Sequence, residues 1–191
     1  MLPSWKSSLR GALHRHRSDP GARFVQFATV TPAGDPCNRT VVFRGFVPDT
    51  ELLQFAVDRR SEKIAHLQAQ PRAALCWYFS KTREQFRISG SVSVVTSDSD
   101  GPWQLSRDRL WESLSSKGKL LWYWPQPKAP RTPSETFTRA LPAEADEPPE
   151  SFVLLLLHPT EVDWLKLRGD PQHRFLYLLG PEGWQGREVN P

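Results

Sequence analysis

Cysteine is scarce in this 191-residue chain: Cys37 and Cys76 are the only two. Two thiols cannot build a disulfide scaffold or a structural zinc site. Cys76 falls in an apolar strand pattern and is expected as a small core residue. Cys37 falls in a turn and is expected as an exposed thiol. The reducing cytoplasm is the expected compartment. Long apolar runs are missing as well. The longest, Phe152 to Leu157, has six residues, against the roughly 20 that a membrane helix needs. Met1 to Lys6 lacks the basic-then-apolar layout of a secretion signal. Neither a secreted nor a membrane-spanning protein is expected. The five histidines, at 14, 16, 66, 158 and 173, show no metal spacing, and His14 and His16 are expected on the surface of a basic helix. There is no Gly-rich phosphate loop ending in Lys-Ser/Thr, no dinucleotide fingerprint and no Gly-x-Ser-x-Gly elbow. Hydrolytic and metal-dependent chemistry lose their usual markers.

Aromatic residues, by contrast, are plentiful: eight Trp and ten Phe exclude a disordered chain. At this length a single domain over 1–191 buries about 70% of its unfolded surface. The net charge is +4, from 25 Lys and Arg against 21 Asp and Glu. The excess is uneven. Residues 1–44 hold seven basic residues against two Asp, whereas residues 135–150 hold five acidic residues against one Arg. Nucleic acid, a membrane surface and a small anion all suit a basic half, and composition does not choose among them.

Hydrophobic spacing predicts a helix over 4–17, with Trp5, Leu9 and Leu13 four apart. Strands follow at 24–30, 39–45 and 52–57, separated by short turns, which implies an antiparallel meander. A helix is expected over 61–70, with Ser61 as N-cap and Pro71 closing it. Further strands fall at 73–79 and 85–95, and a helix at 103–114. Residues 125–149 carry seven of the eighteen prolines and are expected as an extended, partly mobile loop with a solvated acidic half. A buried strand at 152–157 and a closing hairpin from 161–167 and 175–179 complete the chain. The pattern reads as mainly β (α+β): a six- to eight-stranded antiparallel split β-barrel with flanking helices. Trp103, Trp111, Trp122, Trp124 and Trp184 are expected in packing.

One cluster carries chemistry. Arg39 and Arg44 lie on one strand, five positions apart. An odd separation sends them to opposite faces unless the strand bends. Asp58-Arg59-Arg60-Ser61-Glu62-Lys63 runs from a strand end into a helix N-terminus. Free backbone N–H groups, a hydroxyl and a Lys would suit a phosphate. An ordinary helix cap with solvated charges would read the same way.

The order of the segments narrows this. Arg39-Thr40-Val41-Val42-Phe43-Arg44-Gly45, then Phe55 through Lys63, then Thr82 through Gly90 resembles the pyridoxamine 5′-phosphate oxidase family. Trp164, Gln172 through Tyr177 and the terminal Val189-Asn190-Pro191 are similar to its C-terminal segment. The resemblance covers about residues 20 to 191. It implies a homodimer with FMN at the subunit interface and a small-molecule substrate. It implies FMN contacts from Arg39, Thr40, Val41 and Val42. Arg44 stands where the family has a Lys near flavin and substrate. Val57, Ser61 and Lys63 match the phosphate end, and Gln85 a flavin contact. Gln126 corresponds loosely to another polar contact. Trp164 and Arg174 match the pair that reaches the flavin from the other subunit.

Three departures stand out. Glu62 occupies a place where Arg is usual, with Arg59 and Arg60 as candidates to offset it. Asp170 and Gln172 replace the Arg and His that handle the B6 ring. The Arg-Pro-rich substrate-phosphate stretch is missing, and Arg107 and Arg109 offer a different pattern. The resemblance therefore implies a divergent branch, an FMN-dependent oxidoreductase in which electrons pass between a small substrate and the flavin. No side chain stands out as acid or base. A flavin-binding module without turnover is the alternative. A basic nucleic-acid-binding barrel is disfavoured because the arginines sit at strand ends instead of forming a stripe; neither nucleic acid nor a membrane is an expected partner.

Overall fold

The structure is a computed structural model that describes residues 4–191. Eight strands form one antiparallel sheet: β1 Phe24–Val30, β2 Pro36–Phe46, β3 Leu53–Asp58, β4 Arg72–Phe79, β5 Glu84–Val95, β6 Phe152–Lys166, β7 His173–Gly180 and β8 Gly183–Val189. Their spatial order is β3-β2-β1-β4-β5-β6-β7-β8, and β3 also pairs with β6. The first six strands in that order therefore close a barrel, and β7 and β8 continue the sheet beyond it.

Strand β6 makes this possible. Its first half pairs with β3, from Leu157↔Leu53 to Phe152↔Asp58. Its second half pairs with β7, from Glu161↔Leu178 to Lys166↔His173. The sequence pattern suggested two strands here, with a break near Pro159. One 15-residue strand is found instead. The break is a register shift against β5 between Ser89 and Gly90. Gly90 allows it: a Cβ there would sit 1.9 Å from the His158 carbonyl oxygen. Strand β8 was not foreseen, because Gly183, Gly186 and a polar run obscure its alternation.

The β6 run is apolar on both faces because both are buried. Val153, Leu155 and Leu157 point into the barrel with Phe27, Phe55, Trp77 and Phe86. Phe152, Leu154 and Leu156 face a second core with Leu110, Trp111 and Trp122. Leu110 and Trp111 come from helix α3, Gln104–Glu112. Helix α1, Trp5–Arg15, is capped by Ser4, whose Oγ accepts from the Ser7 N–H at 3.2 Å. It buries Trp5, Leu9 and Ala12 in the barrel core, and Arg15 pairs with the buried Glu84 at 2.7 Å.

Several expectations need correction. Cys76 is exposed. Its strand alternates with Ala73, Leu75, Trp77 and Phe79 inside; apolar residues on both faces hid the phase. Cys37 is half-buried on β2. His14 is exposed as expected, but His16 is buried: its Nδ1 lies 2.8 Å from the Ala12 carbonyl oxygen, and its Nε2 accepts from the Lys81 N–H at 3.0 Å. The Pro-rich stretch is pinned. Trp111 Nε1 donates to the Ala145 carbonyl at 2.9 Å, and Trp124 Nε1 to the Thr138 carbonyl at 3.1 Å. Arg107 donates to Pro149 and Phe152 carbonyls. The acidic side chains of the stretch, Glu135, Glu144, Asp146, Glu147 and Glu150, are exposed as expected, while Ala145 among them is buried.

Candidate functional site

The barrel is split beside β2. That strand pairs with β1 along Val42 to Pro36. With β3 it pairs only at Phe43, Gly45 and Phe46. Residues 36–42 thus have a sheet partner on one edge alone, and backbone N–H and C=O groups on the other edge are open to a ligand. A cavity of about 520 Å³ adjoins this edge. Its lining combines Cys37, Asn38 and Arg39 of β2, residues 60–63 at the start of helix α2 (Glu62–Ala69), and 126–129 of the Pro-rich loop.

The charges in this cleft are sorted by their partners. Arg60 is bound to Asp58 by Nε at 2.9 Å and Nη2 at 2.6 Å, and its Nη1 donates to the Trp124 carbonyl. The hydrogen bonds to Asp58 raise its already high pKa. Lys128 pairs with Glu62 at 2.5 Å and holds that carboxyl below the usual range. Arg39 and Lys63 have no ion-pair partner among the described residues. The Lys63 ammonium is held below the usual range, first by burial and then by the Arg39 charge. Two cations without an ion-pair partner at the open edge of a strand suit a small anion.

Ser61 stands at the N-cap position, but its hydroxyl does not cap α2. Its Oγ donates to the Asp58 carbonyl at 2.7 Å and accepts from Lys63 Nζ at 2.8 Å. The expected offset of Glu62 also differs: Arg59 pairs with Asp98, Arg60 with Asp58, and the pairing cation is Lys128 from the loop. Sequence reading missed Lys128 because its segment has no periodicity and its partner lies 66 positions away.

Of the twelve candidate residues, Arg39, Ser61, Lys63 and Gln126 come together in the cleft. Thr40 and Val42 project from the other face of β2, and Arg44 lies on that same outward face, opposite to Arg39, as the odd spacing requires. Burial and Arg23 lower the Arg44 pKa. Gln85 is half-buried on the outward face of β5. Arg174 shares the outward face and grips Asp163 through Nε at 3.0 Å and Nη2 at 2.7 Å; Arg87 contacts the same carboxylate. Val41, Val57 and Trp164 are core residues. Trp164 stacks between Phe86 and Phe175, with centroids 5.6 and 5.0 Å away. Its Nε1 is buried without a hydrogen-bond partner.

A second depression, of about 380 Å³, lies on the outward sheet face and shares Asn38 with the cleft. Ala28, Ala74 and Cys76 line it, with Gln26, Arg87 and Asp163 alongside. On the same face Phe24, opposite Val42, and Tyr78, opposite Gln85, are 53% and 52% exposed.

The chain is thus a split β-barrel with a cation-lined cleft at its open strand. Residues 2–96 match the family described as "Pyridoxamine 5'-phosphate oxidase, FMN-binding domain". The chain is 34% identical over 191 residues to "Pyridoxine/pyridoxamine 5'-phosphate oxidase 2" of Arabidopsis thaliana, covering 98% of this chain and 96% of that protein. It is 44% identical to a pyridoxamine 5′-phosphate oxidase-related, FMN-binding protein of Nostoc punctiforme, whose crystal structure superposes with a TM-score of 0.94 over 100% of both chains. PhzG of Burkholderia lata, solved with tetrahydrophenazine-1-carboxylic acid, shares the fold at 20% identity and a TM-score of 0.79, covering 97% of this chain and 92% of that one. The chain belongs to the pyridoxamine 5′-phosphate oxidase FMN-binding family. FMN is its cofactor.

Proposed function

We propose that this protein is an FMN-dependent oxidoreductase acting on a small substrate as a cytoplasmic homodimer, on a divergent branch of its family. The observation that carries the reading is the pair of cations Arg39 and Lys63, neither of them in an ion pair, at the open edge of β2. The FMN phosphate is read as lying between these cations, with Ser61 and Gln126 as neutral contacts. The backbone of residues 39–42 is read as contacting the rest of the cofactor. Bound FMN supplies two-electron chemistry at its ring, and the protein supplies orientation and electrostatics.

The outward face is read as the subunit interface. Exposed Phe24 and Tyr78 support this, since aromatic side chains of that size favour association. Gln85 and Arg174 lie on the same face, where a partner's flavin can meet them. Arg174 is already oriented by Asp163. Trp164, stacked in its own core, is read as backing this region from inside the barrel. The two free thiols, one exposed, are in keeping with a reducing cytoplasm.

The substrate is read as other than the B6 phosphates, although the plant relative bears the name of that activity. Exposed Asp170 puts an anion where a cation would be needed, and Gln172 cannot exchange a proton as His can. The first test is the purified protein itself: it should be yellow, release FMN on denaturation and rebind it. A colourless protein that ignores added FMN refutes the reading. Turnover of pyridoxamine or pyridoxine phosphate at saturating FMN is expected to fall well below about 1 s⁻¹, the low end for ordinary enzymes. Pyridoxal phosphate formation near that rate would return the chain to B6 metabolism. Reduction of the bound flavin by a small substrate, followed by its reoxidation over repeated turnovers, separates an enzyme from a static flavin carrier.

A further inference from the structure

Behind the cleft lies a polar chain that the cofactor contacts do not use. Arg39 Nη1 donates to Thr29 Oγ1 at 2.6 Å and to the carbonyl oxygens of Phe27 and Cys37 at 3.2 and 3.3 Å. Thr29 Oγ1 lies 3.0 Å from His66 Nδ1. Thr29 and His66 are 3% and 7% exposed, whereas Arg39 is half-buried and lines the cleft. His66 sits one turn after Lys63 on α2, so one helix brings Lys63 to the cleft and His66 to the back of Arg39.

The chemistry of the three groups constrains how they act. A guanidinium can only donate, so Thr29 accepts from Arg39. Its hydroxyl hydrogen is then free for the imidazole nitrogen. All three bonds recorded for Arg39 use Nη1, which leaves Nε and Nη2 for a ligand. A long, flexible side chain facing solvent would lose rotamer freedom on gripping an anion. Here the freedom is removed in advance by buried partners.

We infer that Thr29 and His66 are positioning residues that pre-set Arg39 for the cofactor phosphate and thereby determine how strongly the protein prefers a phosphorylated flavin. The inference rests on reading the cleft as the phosphate site. Neither residue touches the flavin; both act through Arg39.

The experiment measures FMN and riboflavin affinity by fluorescence quenching on the full chain. Thr29→Val keeps the side-chain shape and removes the hydroxyl. It is expected to weaken FMN binding about tenfold, the loss of one charge-assisted hydrogen bond's worth of orientation, and to leave riboflavin within about twofold. His66→Leu should act in the same direction. Thr29→Ser, which restores the hydroxyl, should restore FMN binding. In an Arg39→Ala background Thr29→Val should cause no further loss. An Arg39→Ala effect without a Thr29→Val effect overturns the inference and leaves the phosphate site standing. Equal losses for FMN and riboflavin, or an undiminished Thr29→Val loss without Arg39, would mean a merely structural role and also overturn it. If Arg39→Ala weakens FMN and riboflavin by the same factor, or weakens neither, the phosphate site fails, and the inference with it.

Discussion

At the scale of residues, charge pairing decides what each group can do. Arg39 and Lys63 sit in a cleft with three other charged side chains, and those three are already engaged. Arg39→Ala or Lys63→Ala should each remove about 1.5–3 kcal/mol of charge-assisted binding. Equilibrium titration should show FMN affinity lowered roughly ten- to a hundredfold and riboflavin little changed. Asp163 answers to a different balance. Burial alone would raise its pKa, but hydrogen bonds from Arg174 and Arg87 outweigh burial and hold it below the ordinary value. The folded chain therefore binds this proton less readily than the unfolded one. The stabilisation is present above about pH 4 and is lost as pH falls through the folded value. Asp163→Asn should destabilise by about 1.5–3 kcal/mol at pH 7, with a smaller gap in denaturant melts at pH 3. A gap of the same size at both values would remove the ion pairs as its cause.

At the scale of elements, the seam between β5 and β6 holds the design together. Strand β6 must close the barrel with β3 and then leave it to carry β7 and β8. At Gly90 the register shifts, and a Cβ there would sit 1.9 Å from the His158 carbonyl oxygen. Gly90→Ala puts a methyl group against the His158 carbonyl, and that contact is with backbone, which cannot swing away. A loss of about 4 kcal/mol or more is expected, in the range reserved for strained or overpacked positions. Thermal unfolding followed by circular dichroism measures it. Gly183 is a useful contrast: it has a φ of +95° and open space around it, so conformation and not crowding favours glycine there. The Pro-rich stretch is an element in its own right. The Trp111 indole and Arg107 hold it against the second core, the Trp124 indole bonds back to Thr138 within it, and its first residues bring Gln126 and Lys128 to the cleft.

At the scale of the whole molecule, the outward sheet face is the feature that a lone chain leaves unexplained. Phe24 and Tyr78 stand exposed, and Tyr78 lies opposite Gln85, proposed above as a flavin contact. If two chains meet there, a charge on that face should separate them. Tyr78→Glu is expected to shift sedimentation from dimer to monomer and to release flavin on dilution. A wild-type chain that sediments as a flavin-loaded monomer would refute the shared site. On the proposed shared site, the Asp163 clamp would orient Arg174 towards the partner. An arginine that must reach beyond its own chain benefits from being fixed before the partner arrives.

Much of this was legible in the chain alone, for a physical reason. Local alternation reports strands whenever one face is wet, and β1, β2, β4 and β5 were read within a few residues. Arg39 and Lys63 were legible from the order of the segments, and the structure puts both on the lining of one cleft, Arg39 from within β2 and Lys63 from the first turn of α2. The double-sided burial of Leu154 to Leu157 shows in composition as an unbroken apolar run. Tertiary structure decided the rest, wherever a residue's role depends on a partner far along the chain. The phase of β4, hence the exposure of Cys76, depends on which face the barrel encloses. The merging of two apparent strands into β6 depends on Gly90 tolerating a carbonyl from across the seam. The neutralisation of Glu62 by Lys128 and the link from His66 through Thr29 to Arg39 join residues that are local to nothing in the sequence. Contacts of that kind exist only once the barrel has closed.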